Sequence, residues 1–303
     1  MEARKGVFES VKDGVVGTIR GTGDDVTAVV DTVSGTLTHT IKRGGAVGTS
    51  LMETFSDVGR AAIRGAADVG GDVGSAAKGA VVGTLRGTKE TSVEAVDALK
   101  TTTGSVIKGT SEVAGDIGRA ARGAIQGAVT GAREVGLNVT EATAAAAMGV
   151  LKATGEVFSG TGKTGTAFIE ASSGVVRSAI QAVVEVGGDV GSGAKGIVVG
   201  VLQGTRAGGK EALETISATS SDVVKGTSEV TGDIAKAAKG AVQGAIAGAR
   251  EISLDATEAA SAAANGALKA AGEISSQAVE QVRNAVTGTI EGVKVVLKEP
   301  FKK

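Results

Sequence analysis

The chain has 303 residues and nearly balanced charge, 32 Lys+Arg against 33 Asp+Glu, so it lacks the basic excess of a dedicated nucleic-acid binder. Its hydrophobic content of 42% comes mostly from Ala and Val, with 5 Phe and no Trp or Tyr, which excludes a core built on large side chains. There is no Cys, which excludes disulfides and thiolate metal sites.

A count of 49 glycines and a single proline, Pro300, sets the terms for the rest. Scarce proline permits long helices, whereas each glycine costs about 1 kcal/mol relative to alanine inside one. An isolated helix with this load is marginal. Either the glycines gain something from close packing, or the chain folds on a partner or surface.

In chain order, the first residues, Met1-Glu2-Ala3-Arg4-Lys5-Gly6-Val7-Phe8, lack the apolar core of a secretory signal. No apolar run approaches the roughly 18 residues that span a bilayer; the longest are Ala144 to Leu151 and Gly196 to Leu202. A cytoplasmic protein without a transmembrane segment is expected. Gly17-Thr18-Ile19-Arg20-Gly21-Thr22 returns as Gly83-Thr84-Leu85-Arg86-Gly87-Thr88, an offset of 83 − 17 = 66. Val69-Gly70-Gly71-Asp72-Val73-Gly74-Ser75 returns as Val186-Gly187-Gly188-Asp189-Val190-Gly191-Ser192, an offset of 186 − 69 = 117. Lys108-Gly109-Thr110-Ser111-Glu112-Val113 returns intact at Lys225 with the same 117. This predicts a divergent partial repeat over 1–64, copy 1 over 65–181, copy 2 over 182–278, and a C-terminal amphipathic helix and tail over 279–303.

Within copy 1 one motif recurs after 116 − 72 = 44 residues, which is four elevens. An eleven-residue period, about 3.67 residues per turn, suits nearly straight helical rods. The motif is fullest from Asp116 to Arg133 and from Asp233 to Arg250, with looser versions from Asp57, Asp72 and Asp189. On a helical wheel Ile117, Ala121, Ala124, Ile125, Ala128, Val129 and Ala132 share one half, and Arg119, Arg122, Gln126 and Arg133 the other. Glycines four apart line the border, because residues so spaced stack on one face. They form four glycine zippers: Gly79, Gly83 and Gly87; Gly123, Gly127 and Gly131; Gly196, Gly200 and Gly204; Gly240, Gly244 and Gly248. Such spacing lets helix backbones approach closely. Charges at every turn place that contact in a soluble rod or oligomer.

Helix punctuation is legible in places. Asn138-Val139-Thr140-Glu141, Asp255-Ala256-Thr257-Glu258 and Thr91-Ser92-Val93-Glu94 have the form of capping boxes. Gly136 suits a left-handed helix end. Breaks are expected at Gly44–Ser50, Gly70–Gly71, Gly87–Thr91, Gly136–Asn138, Ser159–Thr166, Gly187–Gly188 and Gly208–Gly209. From Val279 through Val282, Val286, Ile290 and Val293 to Leu297 the spacing predicts one more amphipathic helix, stopped by Pro300.

Candidate chemistry is sparse. Ser159-Gly160-Thr161-Gly162-Lys163-Thr164-Gly165 resembles a phosphate-cradling loop, yet the first glycine of that motif would fall at Val157, and no strand precedes it. It reads as an interhelical loop. His39 is the only histidine and has no Cys beside it to share a metal. Asn138 heads a glycosylation sequon but fits a cap better. Thr143 and Thr154 stand eleven apart, as in helical ice-binding proteins, but Ala260 and Ala271 replace them in copy 2. Arg119, Arg122, Arg133, Lys236, Lys239 and Arg250 could address anionic lipid or polyphosphate; Asp116, Glu134, Asp233 and Glu251 balance them. No nucleophile–base pair, catalytic residue, metal ligand or cofactor site emerges, so a non-enzyme without cofactors is expected.

The Gly/Ala/Val/Thr apolar faces, the eleven-residue spacing and Lys-Gly-Thr-Ser-Glu-Val at Lys108 and Lys225 resemble the amphipathic-helix repeat proteins: late-embryogenesis-abundant proteins, synucleins, and apolipoprotein-like or phasin-like coats. This chain has fewer charges and more glycine than the desiccation proteins, and lacks the Leu, Phe and Trp of avid lipid binders. The resemblance implies an all-helical, non-enzymatic protein acting at a surface or on other macromolecules. The expected fold is all-α, an elongated repeat of amphipathic helices packed through glycine zippers, with no β-sheet. The expected role is a self-associating scaffold, a homo-oligomer or assembly, or the coat of a lipid or polymer-inclusion surface. The alternative is a stress-protective protein that is disordered when dilute.

Overall fold

The computed structural model describes residues 2–22, 25–44, 48–89, 94–160, 166–185, 187–205, 209–230 and 232–297. Among them the architecture is an all-α repeat of helices packed on their neighbours. The helices are α1 (Glu2–Thr22), α2 (Asp25–Gly44), α3 (Gly48–Asp68), α4 (Val73–Lys89), α5 (Ala95–Glu112), α6 (Ile117–Val135), α7 (Val139–Gly160), α8 (Thr166–Glu185), α9 (Val190–Thr205), α10 (Gly209–Glu229), α11 (Ile234–Glu251), α12 (Ala256–Ile274) and α13 (Ser276–Val286).

The chain divides into two compact units, Met1–Val175 and Val176–Lys303. In the first, each helix packs most extensively on the helix two further along, so α1, α3, α5 and α7 form one row and α2, α4 and α6 another. In the second, α9 packs on α11 and then α13, and α10 packs on α12. Within a row the helices are parallel: Gly123, Gly127 and Gly131 of α6 meet Gly74, Lys78 and Leu85 of α4 in ascending order.

The repeating step is 22 residues, one helix and its turn. Val73, Ala95, Ile117 and Val139 begin successive helices, and 95 − 73, 117 − 95 and 139 − 117 are each 22. The 44 seen in the sequence is therefore the distance between row neighbours. Five steps make 110, so the 117-residue duplication contains seven residues more. Glu156 still keeps step with Glu134, and Gln181 already keeps step with Gln203, so the extra seven lie between 156 and 181.

Each helix start has a local cause. Asp116 and Asp233 cap α6 and α11, their carboxylates accepting from the backbone N–H of Arg119 and Lys236 at 3.0 Å. Asp72 and Asp189 accept from Ser75 N–H and Ser192 N–H in the same way. Asn138 accepts from Thr140 N–H at 2.9 Å, and Asp255 from Thr257 N–H and Glu258 N–H at 2.8 Å. The predicted caps at Asn138 and Asp255 thus form; Thr91 lies outside the described residues. Gly136 closes α6 in the left-handed region at φ 79°. Ala114 and Ser253 adopt the same region at φ 53° and 57°, so at these two helix ends the left-handed residue is not a glycine.

The core is made of small side chains in great number. Ala120, Ala121, Ala124, Ile125, Ala128, Val129 and Ala132 of α6 are all fully buried. Threonine serves as a core residue because its hydroxyl bonds to its own helix: Thr84 donates to Ala80 O, Thr110 to Val106 O, and Thr227 to Val223 O. Its β-branched remainder then packs as an apolar group.

The C-terminal stretch departs from expectation. The single amphipathic helix predicted from Val279 to Leu297 ends at Val286, and a two-stranded antiparallel hairpin follows, β1 (Gly288–Ile290) and β2 (Val293–Val295). The cause is local backbone. Gly288, Glu291 and Gly292 all take positive φ, which turns the chain instead of continuing the helix. The apolar residues alternate as Ile290, Val293 and Val295, all buried, a strand-like spacing that helical spacing hid.

Candidate functional site

Both units repeatedly build the same contact between row neighbours. Gly127 stands where a Cβ would come to 2.7 Å from Lys78 O and 3.0 Å from Val81 Cβ. In the second unit Gly244 repeats this against Lys195 O at 2.6 Å and Val198 Cβ at 3.0 Å. Gly123 and Gly240 face the carbonyls of Gly74 and Gly191 more closely still, and Gly266 faces that of Ser217. The register is fixed, since 127 − 78, 244 − 195 and 266 − 217 are each 49. One helix offers a groove at its glycines, and its neighbour fills that groove with a carbonyl and a β-branched or leucine side chain.

The other glycines singled out in the sequence fall as follows. A Cβ at Gly79 would meet Val29 Cβ at 2.7 Å, one at Gly83 would meet Val30 O at 2.8 Å, and one at Gly87 would meet Leu37 Cβ at 3.0 Å. A Cβ at Gly131 would meet Leu85 Cδ1 at 2.7 Å, and one at Gly248 would meet Leu202 Cδ1 at 2.6 Å. Gly196 and Gly200 are buried in α9, and Gly204 lies in its last turn. The chemistry here is close approach. Glycine Cα–H groups aimed at carbonyl oxygens give weak hydrogen bonds of about 0.5–1 kcal/mol each, and the short separation increases dispersion between backbones.

A second feature escaped the sequence reading. A rim of cross-helix pairs runs along the helix C-terminal ends at a spacing of 48: Arg64 to Glu112 at 2.9 Å, Arg86 to Glu134 at 2.9 Å, Lys108 to Glu156 at 2.6 Å and Lys225 to Glu273 at 2.5 Å. Gln181 donates to Glu229 at 2.9 Å, and Gln203 donates to Glu251. Row neighbours differ by 44 in sequence but pair at 48, so each helix is advanced by one turn, about 6 Å. The signal was present as glutamates 112, 134 and 156, each 22 apart, and again at 229, 251 and 273. These pairs are partly exposed, so solvent screens them and each is weak. They set register more than they set stability. Lys225, by hydrogen bond and charge, holds the Glu273 carboxyl below the usual carboxylate range.

A hollow of about 260 Å³ opens over the starts of α4 and α6, lined by Asp72, Ser75, Lys78, Arg119, Arg122 and Gln126. Its charges answer one another: Arg119 lies 3.6 Å from both Asp72 and Asp116. The Ser75 N–H, assisted by Arg119, holds the Asp72 carboxyl below its ordinary value, and the Ser192 N–H does the same for Asp189.

No family model matches the chain, and no curated protein matches it.

The residues weighed for chemistry do not converge. His39 is exposed on α2. Lys163 and Thr164 lie outside the described residues. Thr143 and Thr154 are buried, with their hydroxyls on Val139 O and Val150 O. Among the described residues no group of three His, Asp or Glu is placed to hold a metal ion, and no helix is long and apolar enough to cross a membrane.

Proposed function

We propose that this chain is a non-enzymatic, cytoplasmic structural scaffold that is folded in dilute solution. The observation that carries this reading is the backbone-close glycine contact, repeated at a fixed spacing of 49 in both units. A protein that needs glycine only to keep its free chain unfolded has no use for such a register. A lipid coat would need its apolar face free. Here that face is turned inward, and among the described residues the exposed large hydrophobics are Ile274 and Val296.

Circular dichroism at micromolar concentration, with and without anionic vesicles, tests it. The expected result is a strongly helical spectrum that vesicles do not change. Helicity appearing only with vesicles would select the coat, and a coil that becomes helical only on drying would select the desiccation protectant. Either outcome sinks the scaffold.

A further inference from the structure

At the 117-residue offset of the duplication, Lys78 of α4 corresponds to Lys195 of α9, and Arg133 of α6 to Arg250 of α11. The backbones that carry these residues pack alike. A Cβ at Gly127 would lie 2.7 Å from Lys78 O, and one at Gly244 would lie 2.6 Å from Lys195 O. The same pair of cations therefore starts from the same frame in both units.

In the second unit the pair is filled. Lys195 lies 3.1 Å from the Glu291 carboxylate, and Arg250 donates to the Glu291 carbonyl oxygen at 3.2 Å. Both contacts go to one residue. Glu291 and Gly292 make the two-residue turn between β1 and β2, at φ 49° and 81°.

The first unit keeps the two cations without that turn. Among the described residues it has no hairpin, and Lys78 makes no ion pair. Lys78 is partly exposed and Arg133 is exposed, so both can be reached from solvent. Their surroundings are also more cationic than in the second unit. Residues 72–89 and 116–135 carry six Lys and Arg against three Asp and Glu. The counterparts, 189–206 and 233–252, carry five against three, because Gln203 stands in place of Arg86. Glu291 brings that second balance to five against four.

We propose that Lys78 and Arg133 form a docking site for an acidic turn of a partner protein, gripped as Glu291 is gripped in the second unit. Lys78 takes the carboxylate, and Arg133 takes the backbone carbonyl of the same residue. A glutamate held in a tight turn offers both groups together, whereas a phosphate diester of lipid or nucleic acid offers charge alone. The excess of cations around the site favours an acidic partner and speeds its approach. The site would give the scaffold something to recruit, so the proposal rests on the scaffold reading.

The test uses the full chain and a cyclic peptide of residues 288–295, closed by a second tight turn opposite the glutamate. Saturation transfer to the peptide in solution NMR reads binding, and circular dichroism of the same samples reads folding. The wild type should bind the peptide saturably. Lys78→Ala and Arg133→Ala should each weaken binding about fivefold while staying helical, as should glutamine in place of the peptide's glutamate. Lys78→Glu should lose this peptide and gain one with lysine in place of the glutamate. Lys89→Ala removes an equal charge from the exposed end of α4 and should change nothing, and neither should Lys195→Ala. An equal loss with Lys89→Ala would mean diffuse attraction, and a loss with Lys195→Ala would mean exchange at the second unit; either overturns the site. Vesicles of phosphatidylglycerol or a single-stranded oligothymidylate that bind through Lys78 when the peptide does not would also overturn it. A wild type that is a coil sinks the scaffold itself. A folded wild type that ignores the peptide sinks only the docking site.

Discussion

Gly127 faces Lys78 so closely that a Cβ on the glycine would come to 2.7 Å from the lysine's carbonyl oxygen. That distance reverses the usual ranking of glycine and alanine in a helix. Alanine is favoured by about 1 kcal/mol from propensity alone. Where the neighbour is a backbone carbonyl, which cannot swing aside, overpacking costs about 1–3 kcal/mol and outweighs it.

Gly127→Ala and Gly244→Ala should each destabilise their unit by about 1–3 kcal/mol, and the leucine substitutions by more. Gly17→Ala and Gly35→Ala meet nothing within 4 Å and should stabilise by up to about 1 kcal/mol. Chemical denaturation of the four variants checks the sign. If all four shift the same way, helix propensity and not packing explains the glycines.

The rim pairs should matter little one at a time. Glu134→Gln removes the charge facing Arg86 but keeps the length of the side chain, and should cost less than about 1 kcal/mol. A loss of several kcal/mol in a thermal melt would mean that the rim, not the glycine contact, holds the rows.

Much of this was legible beforehand, and the limits have physical causes. The buried half of α6 follows from Ile117–Ala132 spacing, because an apolar face must be covered. Caps at Asn138 and Asp255 follow from their side chains. The breaks at Ala114 and Ser253 were hidden because the left-handed residue there is not glycine. The hairpin was hidden because Val282, Val286, Ile290 and Val293 keep helical spacing while Gly288, Glu291 and Gly292 break the backbone. The partners of glycines such as Gly123 and Gly127 were unreadable, since a groove in one helix does not say which ridge fills it. The 49-residue register arises only when helices two apart lie side by side.

Acid should loosen the starts of α4 and α9 first. The Asp72 and Asp189 carboxyls titrate below their ordinary value of about 3.9 because they accept from the Ser75 and Ser192 N–H groups. A carboxyl lowered by folding contributes stability above its unfolded pKa and loses it as pH falls through the lower folded value. Stability should therefore hold near neutrality and decline below about pH 4. Asp72→Asn with Asp189→Asn keeps the caps but removes the titration, so the decline should be shallower. Asp72→Ala should cost about 1 kcal/mol at pH 7. An unchanged acid limb in the Asn variant would show that other carboxylates govern it.

Buried threonines should accept valine. Thr110 is fully buried and bonds only to Val106 O in its own helix, an oxygen that the backbone of Thr110 also serves. Thr110→Val preserves the branched shape and leaves no orphaned acceptor, so stability should change by less than about 1 kcal/mol. Thr110→Ala removes packing and should cost more. The reverse order in urea unfolding would assign the hydroxyl a structural role that its geometry does not suggest.

The 22-residue step makes a stronger demand on the first unit. Deleting residues 94–137 removes 44, two whole steps, and joins Val93 to Asn138, so the cap on α7 survives. In the shortened chain α7 follows α4 and takes the position of α5 beside α3. Repeat stability is close to a sum of nearest-neighbour terms, so this protein should remain helical and cooperative, with a smaller urea m-value in proportion to its lost surface. Deleting residues 94–126 removes 33, one and a half steps. The remaining half of α6 then starts without Asp116 and presents its glycines a half-step out of register with the α4 ridge. That chain should lose its cooperative transition. Equal behaviour of the two deletions would show that the helices associate without register, and the 49-residue spacing would lose its meaning.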